Sequence, residues 1–293
     1  MAVVKSYAVG VGDMFYIRHN SDNFTIIDCQ LFGEFKESIT DELKKESSGR
    51  GITRFISTHP DEDHIQGLEY LDEKLPIYNF YVAHNAATKK IRTESFKHYC
   101  KLRDGDKAFY VYKGCSRKWM NLGDGQRSTS GIQIHWPNRE NAHFKAALQE
   151  AADGTAFNNI SLVARYAIEE SASFMWIGDL ETQFMEDILD DIELPRTTVV
   201  FAPHHGRYSG KLPNSWLDKL QPEIVVLGEA PSRDLHYYTG YNTLTQTRAW
   251  DITFVPDGKK VHCYVSNPDY EMRDWLDDEG LADRDYYIGT LNF

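Results

Sequence analysis

Short strand-like runs of apolar residues alternate with helix-like runs along most of the chain. VVKSYAV (3–9), MFYIRH (14–19) and FTIIDC (24–29) are β-branched and aromatic and predict three strands, with turns at Gly12-Asp13 and Ser21-Asp22-Asn23 between them. Residues 34–46 predict an amphipathic helix with Phe35, Ile39 and Leu43 on one face. ITRFIST (52–58) predicts a strand that stops at His59-Pro60; a helix carrying Leu68 and Leu71 follows, then a strand at 78–83. Residues 88–150 lack this clear pattern and leave room for an insertion. Beyond them come strands at 160–168, 173–179, 197–203 and 223–228, with helices at 181–190 and 214–220. DITFVP (251–256) and VHCYVS (261–266), joined by Asp257-Gly258, predict a terminal hairpin. No fixed-period repeat or low-complexity linker interrupts the series. One domain over 1–293 is expected, of α/β class: two packed mixed sheets with helices on their outer faces.

The length of 293 residues suffices for a sizeable core, and 41% hydrophobic with 26% charged residues excludes disorder, collagen and coiled coil. No secretory leader is legible at the start, and no apolar run reaches the roughly 18 residues that cross a bilayer. Cys29, Cys100, Cys115 and Cys263 are widely spaced and form no CxxC pair, so they read as buried thiols of a cytoplasmic protein. The net charge of -12 excludes coating of nucleic acid by bulk electrostatics. That charge is uneven: residues 89–118 carry ten basic and three acidic side chains.

The densest group of metal-capable side chains is Thr58-His59-Pro60-Asp61-Glu62-Asp63-His64, directly after an apolar strand. Carboxylates mixed with imidazoles suit Zn²⁺, Mn²⁺ or Fe²⁺, with Mn²⁺ favoured as the carboxylate share rises. By itself the loop reads equally well as a solvated acidic turn. A calcium EF-loop does not fit its glycine register, and a His-Asp phosphohydrolase dyad does not fit its order. Two further strands end in Gly178-Asp179 and in His204-His205-Gly206. Alone, Asp179 reads as a helix cap and the histidines as a turn. Three such endings in sequence point to one site at the carboxyl ends of buried strands.

The order HxxxDH, GD, HHG resembles the metallo-β-lactamase fold, and within it the hydrolase domain of the ComEC-type DNA-internalisation competence proteins. The resemblance rests on VGVGD (9–13), IIDC (26–29), STHPDEDHIQGL (57–68), NNISLV (158–163) and WIGDLE (176–181) followed by APHHGRYSG (202–210). It implies an αββα sandwich with two divalent metal ions, zinc or manganese, along one edge. His59 and Asp61 would serve one metal, Asp63 and His64 the other, Asp179 would bridge, and His205, with His204 beside it, would be the late ligand. Asp28 would be a buried acid that orients a ligand. Asp61 stands where most of the superfamily has histidine. Asn158 and Asn159 replace a further histidine ligand and are expected behind the metals, so the first metal position is the poorer one. His84, His98, His135 and His143 could supply a replacement ligand or be structural.

The chemistry implied is hydrolysis by a metal-bridging water, with Asp63 central to it and His236 as a candidate proton donor to the leaving oxygen. In the basic segment, Lys97, Lys101 and Arg103 among aromatic residues suit a single-stranded nucleic acid, or else form a solvated face. The expectation is a phosphodiesterase or nuclease acting on DNA. Alternatives are a hydrolase of a lactone, thioester or cyclic nucleotide, and a metal-bearing binding subunit with a protein partner.

Overall fold

The computed structural model describes residues 1–293, apart from the side chain of Ser232. The first part of the chain runs β1 (Val3–Ser6), β2 (Phe15–Arg18), β3 (Asn23–Ile27), β4 (Cys29–Gln30), α1 (Lys36–Ser47), β5 (Ile52–Ile56), α2 (Glu62–Ile65), α3 (Leu68–Lys74), β6 (Phe80–Ala83), α4 (Glu94–Arg103) and β7 (Ala108–Val111). The second runs β8 (Ile132–Trp136), α5 (Ala142–Asp153), β9 (Val163–Ala167), β10 (Ser173–Trp176), α6 (Thr182–Asp187), β11 (Val199–Phe201), α7 (Asn214–Leu220), β12 (Ile224–Leu227), β13 (Thr243–Thr245) and α8 (Gln246–Ala249). The tail adds β14 (Ile252–Asp257), β15 (Lys260–Val265) and β16 (Tyr286–Asn292).

All but β4, which makes isolated bridges to Ile65 and Gln66, form a nine-stranded sheet, ordered β16-β15-β14-β1-β2-β3-β5-β6-β7, and a six-stranded sheet, ordered β13-β12-β11-β10-β9-β8. Both are mixed. The first is antiparallel from β16 to β3 and parallel from β3 to β7. Residues 88–150, where the sequence leaves room for an insertion, place an edge strand in each sheet, β7 and β8.

Alternation along the strands explains the layering. Phe174 and Trp176 of β10, Val199 and Phe201 of β11, and Ile224 and Val226 of β12 point into a core shared with Val4, Phe15, Ile17 and Ile56 of the other sheet. The intervening Met175, Val200 and Val225 point outward and pack beneath Phe144, Phe184, Trp216 and Leu217 of α5, α6 and α7. On the opposite side Val3, Tyr16, Phe24 and Phe55 meet Leu43, Leu68, Leu71, Phe96 and Tyr99 of α1, α3 and α4. Strands buried on both faces read as continuous apolar runs, and each large side chain so buried contributes about 1.5–3 kcal/mol. The result is four layers, αββα.

One helix face differs from expectation. Phe35 precedes α1 and is exposed, while Thr40, Leu43 and Ser47 form the buried stripe. The four cysteines are buried and unpaired. Among the described residues no helix is long and apolar enough to cross a membrane.

Candidate metal centre

Five segments meet at one edge of the sandwich: the β1–β2 loop with Asp13, the end of β3 with Asp28, the loop after β5 with His59 to His64, the end of β10 with Asp179, and the end of β11 with His204 and His205. Backbone hydrogen bonds tie them together. Thr58 O accepts from Leu162 N at 3.1 Å, Gly178 O from His204 N at 3.0 Å, and Asp63 O from Asp13 N at 3.1 Å. Two glycines make this approach feasible. A Cβ on Gly178 (φ +60°) would lie 2.7 Å from the Ser161 side chain, and one on Gly12 would strike Asp63 O.

Three non-glycine residues here adopt positive φ: Asp28 (55°), His204 (51°) and His205 (58°). Such conformations cost about 1–3 kcal/mol each and persist where surrounding structure fixes them. Asp28 is fixed by Thr58, whose N and Oγ1 donate to its two carboxylate oxygens at 2.7 and 2.5 Å. It accepts a third hydrogen bond from His64 Nδ1 at 2.8 Å. His64 Nε2 is thereby turned to Asp179 Oδ1, 3.2 Å away. His205 is held in the same way by Asp13 Oδ1, 3.1 Å from its Nδ1, which turns its Nε2 to Asp63 Oδ2 at 3.4 Å and Asp179 Oδ2 at 3.7 Å. His59 Nε2 lies 3.7 Å from Asp61 Oδ2 and 3.8 Å from Asp179 Oδ2.

His59 Nε2, His64 Nε2, His205 Nε2 and Asp179 Oδ1 are all buried with no hydrogen-bond partner. Orphaned buried polar atoms are costly, and four converging on one space are the signature of a site for a cation. Asp13, His64, Asp179 and His205 each offer an atom to a set within 4.8 Å of one another. Asp13 Oδ1 faces His205 Nδ1, whereas Asp63 Oδ2 faces its partnerless Nε2, so Asp63 is the second carboxylate on the open side; imidazoles and carboxylates together fit a divalent transition metal.

The electrostatics agree. Burial would push the Asp179 carboxyl up, but His64, His205 and His59 outweigh it and hold it well below its usual range. Burial opposes protonation of His64 too, yet Asp179 and Asp28 raise it well above its ordinary value. His205 is raised to about 10 against burial by Asp13, Asp179 and Asp63. His59, buried beside His64, is pushed down.

Of the residues expected from sequence, His59, Asp61, Asp63, His64, Asp179, His204 and His205 lie together, with Asp28 behind His64. His204 stands at the margin, its Nε2 3.8 Å from Asp179 and its Nδ1 bonded to Ser209. Asn158 and Asn159 turn to Glu181, two residues beyond Asp179: Asn159 Nδ2 donates to its carboxylate at 3.0 Å and Asn159 Oδ1 accepts from its backbone N at 3.1 Å.

Three expectations fail geometrically. His236 is exposed, with its ring on Tyr237, and lies outside the convergent set; its segment meets the chain after His205 through Tyr237, which packs on Tyr208, and Tyr238, whose OH accepts from Leu212 N. Arg103 is buried: it forks onto Asp104 with two 2.7 Å bonds and donates to Asn85 and Ala87, which uses its guanidinium internally. Phe96 and Tyr99 belong to the core and offer no stacking face. None of the candidate replacement histidines joins the centre: His98 pairs with Asp72, His143 faces Asp187, His135 is buried and His84 packs on Tyr110.

Two residues of the centre are given no role by the sequence. Asp13 lies in VGVGD, where it reads as part of a turn. Lys89, one basic residue among ten in its segment, places its Nζ 3.5 Å from Asp61 Oδ1.

No protein-family model and no curated protein matches the chain. Among solved structures it is similar to Igni18, a metallo hydrolase from the hyperthermophilic archaeon Ignicoccus hospitalis, at 16% identity over 86% of this chain and 99% of that one, with a TM-score of 0.51. It also matches CmlA, a diiron β-hydroxylase from Streptomyces venezuelae, at 13% identity over 86% and 53% of the chains (TM-score 0.47). A third match is the DIM-1 metallo-β-lactamase, at 16% identity over 59% and 63% (TM-score 0.31). At such identities the likeness is one of fold.

Proposed function

Taking the metallo-β-lactamase-type αββα sandwich as its premise, we propose that the chain is a metal-dependent hydrolase of phosphodiesters, with DNA, single strands first, as the polymeric substrate. The observation that carries the reading is the convergence of four buried, partnerless ligand atoms, from His59, His64, Asp179 and His205. A divalent ion bound there supplies a Lewis acid and a water acidified to a pKa near 7. His64, Asp179 and His205, with Asp63 at their edge, would hold that ion; Asp28 and Asp13 orient the two imidazoles from behind. The carboxylate share favours manganese over zinc. Asp61 and His59 form the weaker flank.

A phosphodiester suits the site because its anionic oxygen would find Lys89 at the rim, beside Asp61. For DNA the support is narrower than the sequence implied. Lys97 pairs with Glu94, Lys118 with Asp124, Lys113 with Glu193 and Arg103 with Asp104. Lys90, Arg92 and Lys101 remain as exposed cations that could follow a phosphate backbone. The likeness to competence proteins adds to this reading through its motifs alone.

A second reading, a hydrolase of a small apolar ester, has its own support. A cavity of about 600 Å³ lined by Val9, Gly10, Gln30, Phe32 and Phe35 borders the loop that carries Asp13. The test is turnover of single- and double-stranded DNA, a chromogenic phosphodiester and a lactone under Mn²⁺, Mg²⁺ and Zn²⁺. Phosphodiester cleavage that is lost in Asp63→Ala and Asp179→Ala bears the proposal out. Lactone turnover without any phosphodiester cleavage overturns it in favour of the second reading.

A further inference from the structure

Lys89 is a built feature of the centre. Its side chain is 13% exposed, and its ammonium lies over the rings of Phe96 at 5.2 Å and Phe157 at 5.1 Å. Phe157 directly precedes Asn158-Asn159, the pair that stands where a histidine ligand was expected. One chain segment therefore both withholds that imidazole and helps to seat the lysine. Cation–π contacts of this kind hold a partly desolvated ammonium in place.

The flank nearest Lys89 is short of donors. His59 Nε2 has Asp61 and Asp179 as neighbours at 3.7 and 3.8 Å. The Asp61 charge is offset by Lys89, and Asp179 is shared with His64 and His205. The asparagines are turned to Glu181. One imidazole, one neutralised carboxylate and one shared carboxylate make a poor cage, and an ammonium on the same carboxylate repels a second dication.

We propose that the centre holds one divalent ion, on the Asp63–His64–Asp179–His205 side, and that the Lys89 ammonium takes the place of a second, meeting the anionic oxygen of the substrate. The proposal rests on the metal-hydrolase reading and narrows it to a lysine-assisted, one-metal centre for anionic esters.

The experiment counts manganese per chain in the metal-reconstituted protein by mass spectrometry and electron paramagnetic resonance, and measures inorganic phosphate affinity by calorimetry. One uncoupled Mn²⁺ per chain is expected in the unmodified protein and in Lys89→Met. In Lys89→Met phosphate binding should weaken at least tenfold, and turnover of a chromogenic phosphodiester should fall about 10²-fold, as for loss of one charge-stabilising donor. Lys89→Arg should recover most of both. Two spin-coupled ions in the unmodified protein overturn the proposal while leaving a metal hydrolase standing. Unchanged phosphate affinity in Lys89→Met also overturns it. Absence of any bound ion overturns the metal-centre reading itself.

Discussion

Asp28 Oδ2 and His64 Nδ1 are 2.8 Å apart, and both residues are fully buried. The carboxylate fixes which nitrogen of the ring faces the space shared with Asp179. It does so from a strained backbone position that Thr58 anchors through two further hydrogen bonds.

Replacing Asp28 by Asn removes the charge and one acceptor while keeping the shape. Metal affinity should fall about 10–100-fold, as it does for other outer partners of ligating histidines. Competition titration against a fluorescent chelator measures it, and an unchanged far-ultraviolet dichroism spectrum would place the loss at the site.

In the metal-free protein His64 and His205 keep their protons well above the ordinary value of 6.5, to about 10 for His205. A raised folded value contributes stability that is full below about pH 6.5 and is lost as pH rises through about 10. Metal must displace those protons, so affinity should climb with pH across this window. Calorimetry in buffers of different ionisation enthalpy should register protons released on binding; zero release would contradict the assignment.

Gly178→Ala places a methyl 2.7 Å from Ser161 and 3.1 Å from Thr58, at a φ of +60°. The expected cost is about 1–3 kcal/mol, with Asp179 displaced and metal lost. Gly125→Ala, which meets nothing within 4 Å, is the matched control and should leave both melting and metal content unchanged.

The basic segment should divide by function. Arg103→Ala removes a buried guanidinium with its hydrogen bonds to Asn85 Oδ1 and Ala87 O and should lower the melting temperature. Replacing Lys90, Arg92 and Lys101 by Ala should leave melting unchanged. The log–log salt slope of single-stranded DNA binding should fall by about 0.7 for each phosphate that is no longer neutralised. A slope that stays put would mark these three as an ordinary solvated face.

The strand-end candidates are legible in the sequence because each follows a continuous apolar run, which places the turn to within a residue or two. His59 to His64, Asp179 and His205 stand out this way. Asp13 is not, since a Gly-Asp pair between strands is already explained as a turn; its partner His205 lies 192 residues away. Lys89 escapes for a similar reason, as nothing local ties it to Asp61. Helix α5 does carry boundary signals inside the segment that lacked a clear pattern: Asn141 caps its start by accepting from Phe144 N, and Gly154 (φ 72°) closes it. The edge strand β7, Ala108–Val111, is a four-residue apolar run and only half-buried, so within a basic segment it reads as readily as a nucleic-acid-stacking face as a strand.

Strand β1 sits inside the larger sheet, paired on one side with β2 and on the other with β14. As the ribosome extends the chain, β1 and β2 emerge well before residues 252–257. Until β14 follows, one flank of β1 is an open, apolar strand edge, the kind of surface that recruits other strands. Nascent chains shortened before β14 should depend on chaperones and aggregate without them, even though every candidate metal ligand, up to His205, has already been made.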